Sequence, residues 1–148
     1  MNSSFLLDDI KRDEGCELEA YPDPLSGGAP WTVGFGCTGP GIEKGTVWTQ
    51  EKAESELRSR VKVIQCALLD ALPWFQRLDD FRQDVLVNMA YQMGVKGLLK
   101  FKATLSAVQA GEWDHASAQM LSSAWASQTP KRAQHLAAQM RTGTHQGE

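Results

Sequence analysis

The longest regular pattern of hydrophobic and polar positions lies in the middle of the chain. Apolar residues recur there every three or four positions, a spacing that places their side chains on one face of a helix. They are Ala53, Leu57, Val61, Ile64 and Leu68. Thr49 can cap the start of such a helix, and Pro73 ends the pattern. The pattern therefore predicts a helix over about residues 50–71.

A shorter pattern precedes this helix and predicts a small sheet. The segments "LEAY" and "WTVGFG" have the composition of strands, and the turn-forming segment "PDPLSGGAP" separates them. A second turn-rich segment, "TGPGIEKG", follows. We expect an antiparallel sheet over about residues 17–48, preceded by a helix over about residues 4–14 that Ser3 or Ser4 caps.

The remainder of the chain is predicted to be helical. Four amphipathic segments follow Pro73, and each is bounded by a capping residue or by a glycine. Their approximate bounds are Asp79 or Asp80 to Gly94, Phe101 to Gly111, Asp114 to Trp125, and Thr129 to Gly143. One small sheet among so many helices predicts a mostly helical α+β fold.

The composition is that of a globular protein. The chain has 148 residues, enough for one domain with a real core, and its hydrophobic and charged contents are 42% and 22%. Its longest apolar runs, such as "VLVNMAY", fall far short of the ~20 residues that a bilayer span needs. The N-terminal segment "MNSSFLLDDIKRDEG" has no basic region before its apolar patch, so we expect neither a signal peptide nor a membrane anchor.

Charge and cysteine content narrow the classes of function further. The net charge is -3, and without a concentrated basic surface the chain is not expected to bind nucleic acid. Its three cysteines, Cys16, Cys37 and Cys66, are an odd set without CxxC spacing. This pattern favours synthesis in a reducing compartment over a disulfide scaffold.

Several motifs that could carry chemistry lack the context they need. The segment "GFGCTG" formally matches G-x-G-x-x-G, but Pro40 and Gly41 follow it instead of a helix, so we interpret it as a tight turn. The three histidines are scattered without metal-ligand spacing, and no metal or cofactor is expected. Cys37 has no evident histidine partner, which favours a neutral thiol.

Two carboxylates near the N-terminus have a possible joint role. Glu14 ends the first predicted helix, and Asp23 lies in a loop stiffened by Pro22 and Pro24. Glycoside hydrolysis needs one protonated and one ionised carboxyl on either side of the scissile bond, and a hydroxyl such as that of Thr32 could fix an attacking water. From these residues alone, a solvated acidic loop is the alternative interpretation.

Three longer segments decide between these interpretations by their resemblance to a known family. They are "DEGCELEAYPD…WTVGFG", "NMAYQMGVKGLLKF" and "SAWASQTPKRAQHLAAQMRTGT". In this order they resemble the phage-type lysozymes, in particular the branch of the T-even phages. The match is spread over nearly the whole chain, and the third segment is much more specific than any short motif.

The resemblance implies roles for three residues of the first half. Glu14 would be the general acid that protonates the leaving glycosidic oxygen, Asp23 the partner carboxylate, and Thr32 its neighbour on the side where water attacks. Such enzymes usually invert the anomeric centre, which requires carboxyl groups ~6.5–9.5 Å apart. The chain departs from the family here, because the segment from Asp23 to Thr32 is longer than in the T-even enzyme and Cys37 replaces a histidine.

Three residues of the second half are implied to bind substrate. Gln92 and Trp125 correspond to residues that line the sugar cleft of these enzymes. Arg132 corresponds to the arginine that pairs with the catalytic glutamate. The implied architecture is one lysozyme domain over residues 1–148, in which a helix over about 50–71 connects a small β lobe (about 15–48) to a helical lobe (1–14 and 72–148).

The resemblance also implies a biological role. The expected substrate is bacterial peptidoglycan, cut between N-acetylmuramic acid and N-acetylglucosamine during lysis of a phage-infected host. A monomer without a stable membrane association would accumulate in the host cytoplasm until a phage holin releases it to the wall. A lytic transglycosylase that uses Glu14 alone and a non-catalytic wall-binding module are the alternatives.

Overall fold

The computed structural model describes residues 5–146, and the two predicted caps of the first helix, Ser3 and Ser4, lie outside that range. Helices dominate the described chain, and two short strands form an antiparallel sheet. The mostly helical α+β class is thereby confirmed. The elements are α1 (Leu6–Glu14), β1 (Glu17–Tyr21), β2 (Thr32–Gly34), α2 (Gln50–Ala71), a 3₁₀ turn (Phe75–Arg77), α3 (Asp80–Leu99), α4 (Lys102–Gln109), α5 (Trp113–Leu121), α6 (Ala124–Gln128) and α7 (Pro130–Thr142).

The chain divides into two compact units. The sheet unit runs from Leu7 to Val63, and the helical unit from Ile64 onward together with Phe5 and Leu6. The boundary between them falls inside α2. The arrangement of a β lobe, a connecting helix and a helical lobe stays a prediction.

In the sheet unit, β1 and β2 pair over a short ladder. The paired residues are Glu17 with Gly34 and Tyr21 with Thr32, and a single bridge joins Glu19 to Val47. Only three residues of the segment "WTVGFG" form a strand. The backbone of Gly34 and Gly36 has φ angles of 68° and 73°, and these left-handed conformations turn the chain at that point.

Helix α2 has the bounds that the sequence predicted. Thr49 begins it as expected, since its hydroxyl oxygen accepts a hydrogen bond from the backbone N–H of Lys52 at 3.0 Å. An ion pair of 2.6 Å between Lys11 Nζ and Glu54 Oε1 joins α1 to α2 within the sheet unit. The apolar faces of both helices are buried at Ile10 and Leu57.

In the helical unit, α7 packs against α3, α5 and α6, and α4 packs against α5. The last helix begins at Pro130 and ends at Thr142, and Gly143 follows in the left-handed conformation of a C-cap, as predicted. Among the described helices, none is both long enough and apolar enough to cross a bilayer.

One predicted helix boundary is confirmed and one is wrong. Gly94, predicted to stop its helix, has non-helical backbone angles, φ 82° and ψ 156°, and α3 consists of two helical segments that meet at a kink there. The predicted helix from Asp114 to Trp125 is two helices. Ser123 separates them because its hydroxyl accepts a bond from the N–H of Ala126 and donates one of 2.7 Å to the carbonyl of Met120.

Candidate active site

The carboxylate of Glu14 lies against the backbone of Gly36. Glu14 is half-buried at the end of α1, where Gly15 closes the helix by donating its N–H to the carbonyl of Lys11 at 2.9 Å. A Cβ atom placed on Gly36 would come within 2.5 Å of Glu14 Oε1 and 3.1 Å of its Cδ. The missing side chain of Gly36 therefore leaves the space that the Glu14 carboxylate fills.

The turn that contains Gly36 is tight on both sides. Val33 and Cys37 exchange two backbone hydrogen bonds of 2.9 Å, which confirms that "GFGCTG" begins in a tight turn. A Cβ atom on Gly34 would come within 2.9 Å of the Trp48 ring. Both positions therefore require glycine, because the backbone φ is positive and another side chain occupies the place of a Cβ atom.

The loop that follows β1 folds back on Asp23 and holds its carboxylate. Asp23 Oδ2 accepts hydrogen bonds from the backbone N–H groups of Leu25 at 3.2 Å and Ser26 at 3.0 Å. The backbone N–H of Asp23 donates to the carbonyl of Gly28 at 2.9 Å, and that of Gly27 donates to the carbonyl of Asp23 at 2.8 Å. The direction of this half-buried carboxylate is therefore fixed by its own loop.

The register of the sheet brings Thr32 back toward Asp23. Thr32 is paired with Tyr21, and Asp23 follows Tyr21 by two residues. With about 3.8 Å between consecutive Cα atoms and about 5 Å between paired ones, the Cα atoms of Asp23 and Thr32 lie within about 13 Å. The loop from Asp23 to Thr32 therefore begins and ends at one end of the β1–β2 pair. Glu14 lies near the opposite end, beside the turn that follows β2.

All three cysteines are free thiols. Cys37 is fully buried in the turn beside β2, whereas Cys16 and Cys66 are exposed. Partial burial, followed by the nearby carboxylates of Glu54 and Glu17, raises the pKa of the Cys16 thiol. Cys16 therefore stays protonated and weakly nucleophilic at neutral pH.

In the helical unit, Trp125 is held by Gln92. The Trp125 indole Nε1–H donates a hydrogen bond of 2.8 Å to Gln92 Oε1, and the Phe101 ring meets the indole edge-on with centroids 6.2 Å apart. Trp125 and Phe101 line a cavity of about 500 Å³ whose other walls include Met93, Gln119, Ser123 and Gln128. Two residues of this group, Gln92 and Trp125, are among those expected from the sequence.

Arg132 is held by a residue that sequence reasoning missed. Its buried guanidinium donates from Nε at 2.9 Å and from Nη2 at 2.7 Å to Asn88 Oδ1. Asn88 and Gln92 lie one turn apart on α3, so one face of this helix positions both Arg132 and Trp125. The available signal was a single amide inside the apolar run "VLVNMAY".

Three of the six predicted site residues thus lie in each unit. Similarity to known sequences identifies the family. The family model described as "Phage lysozyme" matches residues 11–141, which is most of the chain and includes all six residues. This chain belongs to the phage lysozyme family.

Two relatives of this chain are named as T4-type lysozymes, which supports the resemblance to the T4 branch. The chain is 26% identical to "Probable T4-type lysozyme 2" of Dictyostelium discoideum, across 95% of this chain and 96% of that protein. It is 36% identical to "Probable T4-type lysozyme 1" of the same organism, but over 47% of this chain and 41% of the relative. An "Endolysin" of Lactococcus phage c2 is 35% identical over 57% of this chain and 36% of its own length. The chain thus spans less than half of two of these three relatives.

Proposed function

We propose that this chain is an endolysin-type muramidase. It would hydrolyse the β-1,4 bond between N-acetylmuramic acid and N-acetylglucosamine in peptidoglycan. Membership of the phage lysozyme family and the names of its relatives support a glycoside hydrolase. The observation that carries the proposal is the pair of positioned carboxylates in the sheet unit, Glu14 against Gly36 and Asp23 within its own loop.

The two carboxylates would have different roles. Glu14, as general acid, would donate its proton to the glycosidic oxygen as the bond to the anomeric carbon breaks. Asp23 Oδ2 is engaged by two backbone N–H groups, whereas Oδ1 has no hydrogen-bond partner within residues 5–146. Asp23 Oδ1 could therefore accept the proton of an attacking water, which the Thr32 hydroxyl would orient. This assignment corresponds to an inverting mechanism, in which the water lies between carboxyl groups about 6.5–9.5 Å apart.

The helical unit would supply the glycan-binding residues. Gln92, Trp125 and Arg132 are each fixed by a hydrogen bond between side chains, so little conformational freedom would be lost when substrate binds. The cavity beside Trp125 combines two aromatic rings with amide and hydroxyl groups, a composition that suits sugars and their acetamido substituents. No metal or cofactor takes part in the proposed reaction.

A turbidity assay on permeabilised Gram-negative cells tests the proposal. The wild-type chain should clear the suspension, and Glu14→Gln should lose at least about 100-fold in rate because the general acid is removed. Its melting temperature should stay within about 2 °C of wild type, since the amide keeps the shape of the carboxyl group. Glu19→Gln, at an exposed position of β1, serves as the matched control and should remain fully active.

The outcomes separate the alternatives. Undiminished clearing by Glu14→Gln would exclude Glu14 as the acid, and failure of the wild-type chain to clear cells would favour a wall-binding module. Mass spectrometry of the digested wall distinguishes the two chemistries, since a hydrolase leaves reducing ends and a transglycosylase leaves 1,6-anhydro ends. Proton NMR of the first product formed reports whether the anomeric centre is inverted.

We also propose that the chain acts as a monomer released from the host cytoplasm by a phage holin. Expression in a Gram-negative host without a holin should leave growth unaffected, and co-expression with a pore-forming holin should produce rapid lysis. Lysis without the holin would contradict this route of release. Light scattering of the purified chain tests the oligomeric state.

A further inference from the structure

The cavity beside Trp125 has one polar wall that the expected glycan-binding residues do not form. The start of α4 contributes this wall. Lys100 and Lys102 lie there on either side of Phe101, and Thr104 follows in the first turn of the helix. We call Lys100, Lys102 and Thr104 the α4 cluster. Neither Asp nor Glu lines the cavity in the part of the chain that the structure describes.

Helix α4 begins without a side-chain cap. The N–H groups in the first turn of a helix stay unpaired unless a side chain or a ligand accepts from them. The residue at the cap position is Phe101, whose side chain accepts no hydrogen bond. Within residues 5–146 the backbone N–H of Thr104 has no hydrogen-bond partner. The free N–H and the helix dipole both favour a negative charge at this end of α4.

The side chain of Thr104 provides a second donor without a partner. Thr104 is only 3% exposed, and its hydroxyl makes no hydrogen bond to any other residue between 5 and 146. Buried hydroxyls are normally hydrogen-bonded, because leaving the bond unmade is costly. Since Thr104 lines the cavity, a group bound there can make the missing hydrogen bond.

The two lysines determine the charge of the group that fits. Both side chains are exposed, and neither forms an ion pair or a hydrogen bond within the described residues. Two ammonium groups, an uncapped helix and an unpaired hydroxyl together complement an anion with several acceptor atoms. A carboxylate and a phosphate both have this character.

The other walls of the cavity favour a carboxylate that belongs to a peptide. Gln119 and Gln128 line the cavity, and their side-chain amides make no hydrogen bonds within residues 5–146. Such an amide has both donors and an acceptor, which match the C=O and N–H of a peptide bond. Met93, Phe101 and Ala124 add apolar surface for small side chains. A free phosphate would use neither the amides nor the apolar surface.

We propose that the α4 cluster binds a free carboxylate of the stem peptide that peptidoglycan carries on its muramic acid. The carboxyl group of muramic acid itself is an amide in the polymer, so the free carboxylates are those of the peptide's acidic residues. The inference rests on the proposed function, in which Trp125 beside the cavity binds the glycan. Lys100 and Lys102 are then specificity residues, which favour glycan with carboxylate-bearing peptides over glycan with amidated peptides or none.

Binding is tested by NMR on the Glu14→Gln chain, which prevents turnover during the titration. The probe is the disaccharide of N-acetylglucosamine and N-acetylmuramic acid that carries the tripeptide L-Ala–D-Glu–diaminopimelate. The backbone amide proton of Thr104 should move downfield along a saturable curve, because it gains a charged acceptor. Lys100→Gln combined with Lys102→Gln should weaken this binding about tenfold, as expected when charge-assisted hydrogen bonds are lost.

A matched control removes the same charge elsewhere. Lys44 and Lys62 are exposed lysines of the sheet unit. Lys44→Gln combined with Lys62→Gln should bind the probe as the Glu14→Gln chain does. Equal weakening by both pairs of substitutions would mean that only the total charge matters, and the α4 cluster would not be the site.

Two further probes identify the bound group. The same disaccharide tripeptide with its peptide carboxylates amidated should bind about tenfold more weakly. Inorganic phosphate at equal ionic strength should bind more weakly still, since it lacks the peptide. If phosphate binds as tightly as the carboxylate probe, the cluster is a phosphate site and the peptide assignment is wrong. Equal binding of the amidated probe, or an unmoved Thr104 signal at about 10 mM of the carboxylate probe, also overturns the proposal.

Kinetics separate this proposal from the proposed function. The quantity measured is kcat/KM on soluble glycan with its peptides, divided by kcat/KM on glycan from which an amidase has removed them. Lys100→Gln with Lys102→Gln should lower this ratio about tenfold, and Lys44→Gln with Lys62→Gln should leave it unchanged. If wild type clears cells but the first pair keeps the wild-type ratio, only the role of the α4 cluster is wrong. If wild type clears nothing, the muramidase proposal fails while the NMR titration still reports on the cluster.

Discussion

At Gly36, the absence of a side chain fixes the position of another residue's carboxylate. The backbone there has φ +73°, and a Cβ atom would meet Glu14 Oε1 at 2.5 Å. Any other residue at this position would face both backbone strain and a steric conflict with Glu14. The glycine is therefore a positioning residue for the proposed acid.

We expect Gly36→Ala to lose activity out of proportion to its loss of stability. The strain of a left-handed alanine costs roughly 1–2 kcal/mol, and the Glu14 carboxyl must also move to avoid the new methyl group. Displacement of a catalytic group by about 1 Å can reduce the rate by about 100-fold. The measurements are kcat on wall glycan and the free energy of unfolding in urea.

Gly41→Ala is the matched control for this variant. Gly41 has φ +85°, and a Cβ atom there would have nothing within 4 Å. It should show a comparable loss of stability with near-normal kcat. If Gly36→Ala kept the kcat of the control, the contact with Glu14 would have no functional consequence.

The sequence predicted single residues well where their role was local and poorly where it depended on distant contacts. It identified Gly36 as a turn residue from the neighbouring glycine and aromatic positions. The contact with Glu14 joins parts of the chain that no local pattern relates. Asn88 was missed for the same reason, because its partner Arg132 is 44 positions away.

At the scale of elements, α6 is a short helix that begins at a single capping side chain. It has five residues, too few for a helix that is stable alone, and it carries Trp125. The side chain of Ser123 accepts a hydrogen bond from the N–H of Ala126 and so begins this helix. The helical spacing of apolar residues continues through Ser123, so the sequence pattern did not reveal that this serine ends one helix and caps the next.

We expect Ser123→Ala to destabilise the chain by about 1 kcal/mol, the typical loss for an N-cap. Ser122→Ala is the control, since the Ser122 hydroxyl donates to the carbonyl of Gln119 at 3.1 Å, as that of Ser123 does to Met120, but does not begin a helix. Urea denaturation measures both variants. Equal stabilities of the two would show that α6 does not need its cap.

Helices α1 and α2 are joined by a contact that depends on pH. The hydrogen bond from Lys11 lowers the pKa of Glu54, with a further contribution from Gln50. A lowered folded-state pKa stabilises the fold above the unfolded-state pKa of about 4.3, and that stability is lost as the pH falls through the lowered value. The ends of this contact lie in elements that the sequence predicted, but their pairing could not be inferred from either helix alone.

Glu54→Gln should therefore lower stability at pH 7 by less than about 1 kcal/mol, since the pair is partly exposed. The difference from wild type should stay constant down to about pH 5 and disappear at more acidic pH. Thermal melts from pH 7 to pH 3 provide the measurement. Glu43→Gln, at an exposed turn position, should match wild type throughout, and a difference for Glu54→Gln that persisted at pH 3 would contradict the electrostatic explanation.

At the scale of the whole molecule, the balance of charge sets how the chain meets an anionic cell wall. The net charge is -3 at pH 7, and the isoelectric point is about 5.6. The negative charges are concentrated at the start, where residues 1–60 hold 6 basic against 11 acidic side chains. Residues 61–148 hold 9 basic against 7 acidic side chains, a net charge of +2. Long-range attraction to the wall is therefore weak, and binding must come from contacts at short range.

This balance predicts an unusual response of lysis to salt. Between about 10 mM and 100 mM NaCl the Debye length falls from about 30 Å to 10 Å, which suppresses long-range attraction. A protein without such attraction should clear cells at pH 7 at a rate that changes by less than about threefold, or that rises as repulsion is screened.

At about pH 4.8 the chain carries net positive charge, and the same increase in salt should slow clearing because an attraction now exists to be screened. At each pH the clearing rate at high salt is divided by the rate at low salt, so the effect of pH on the catalytic groups cancels. Strong inhibition by salt at pH 7 would mean that the basic side chains of the helical unit act as a local patch despite the negative total.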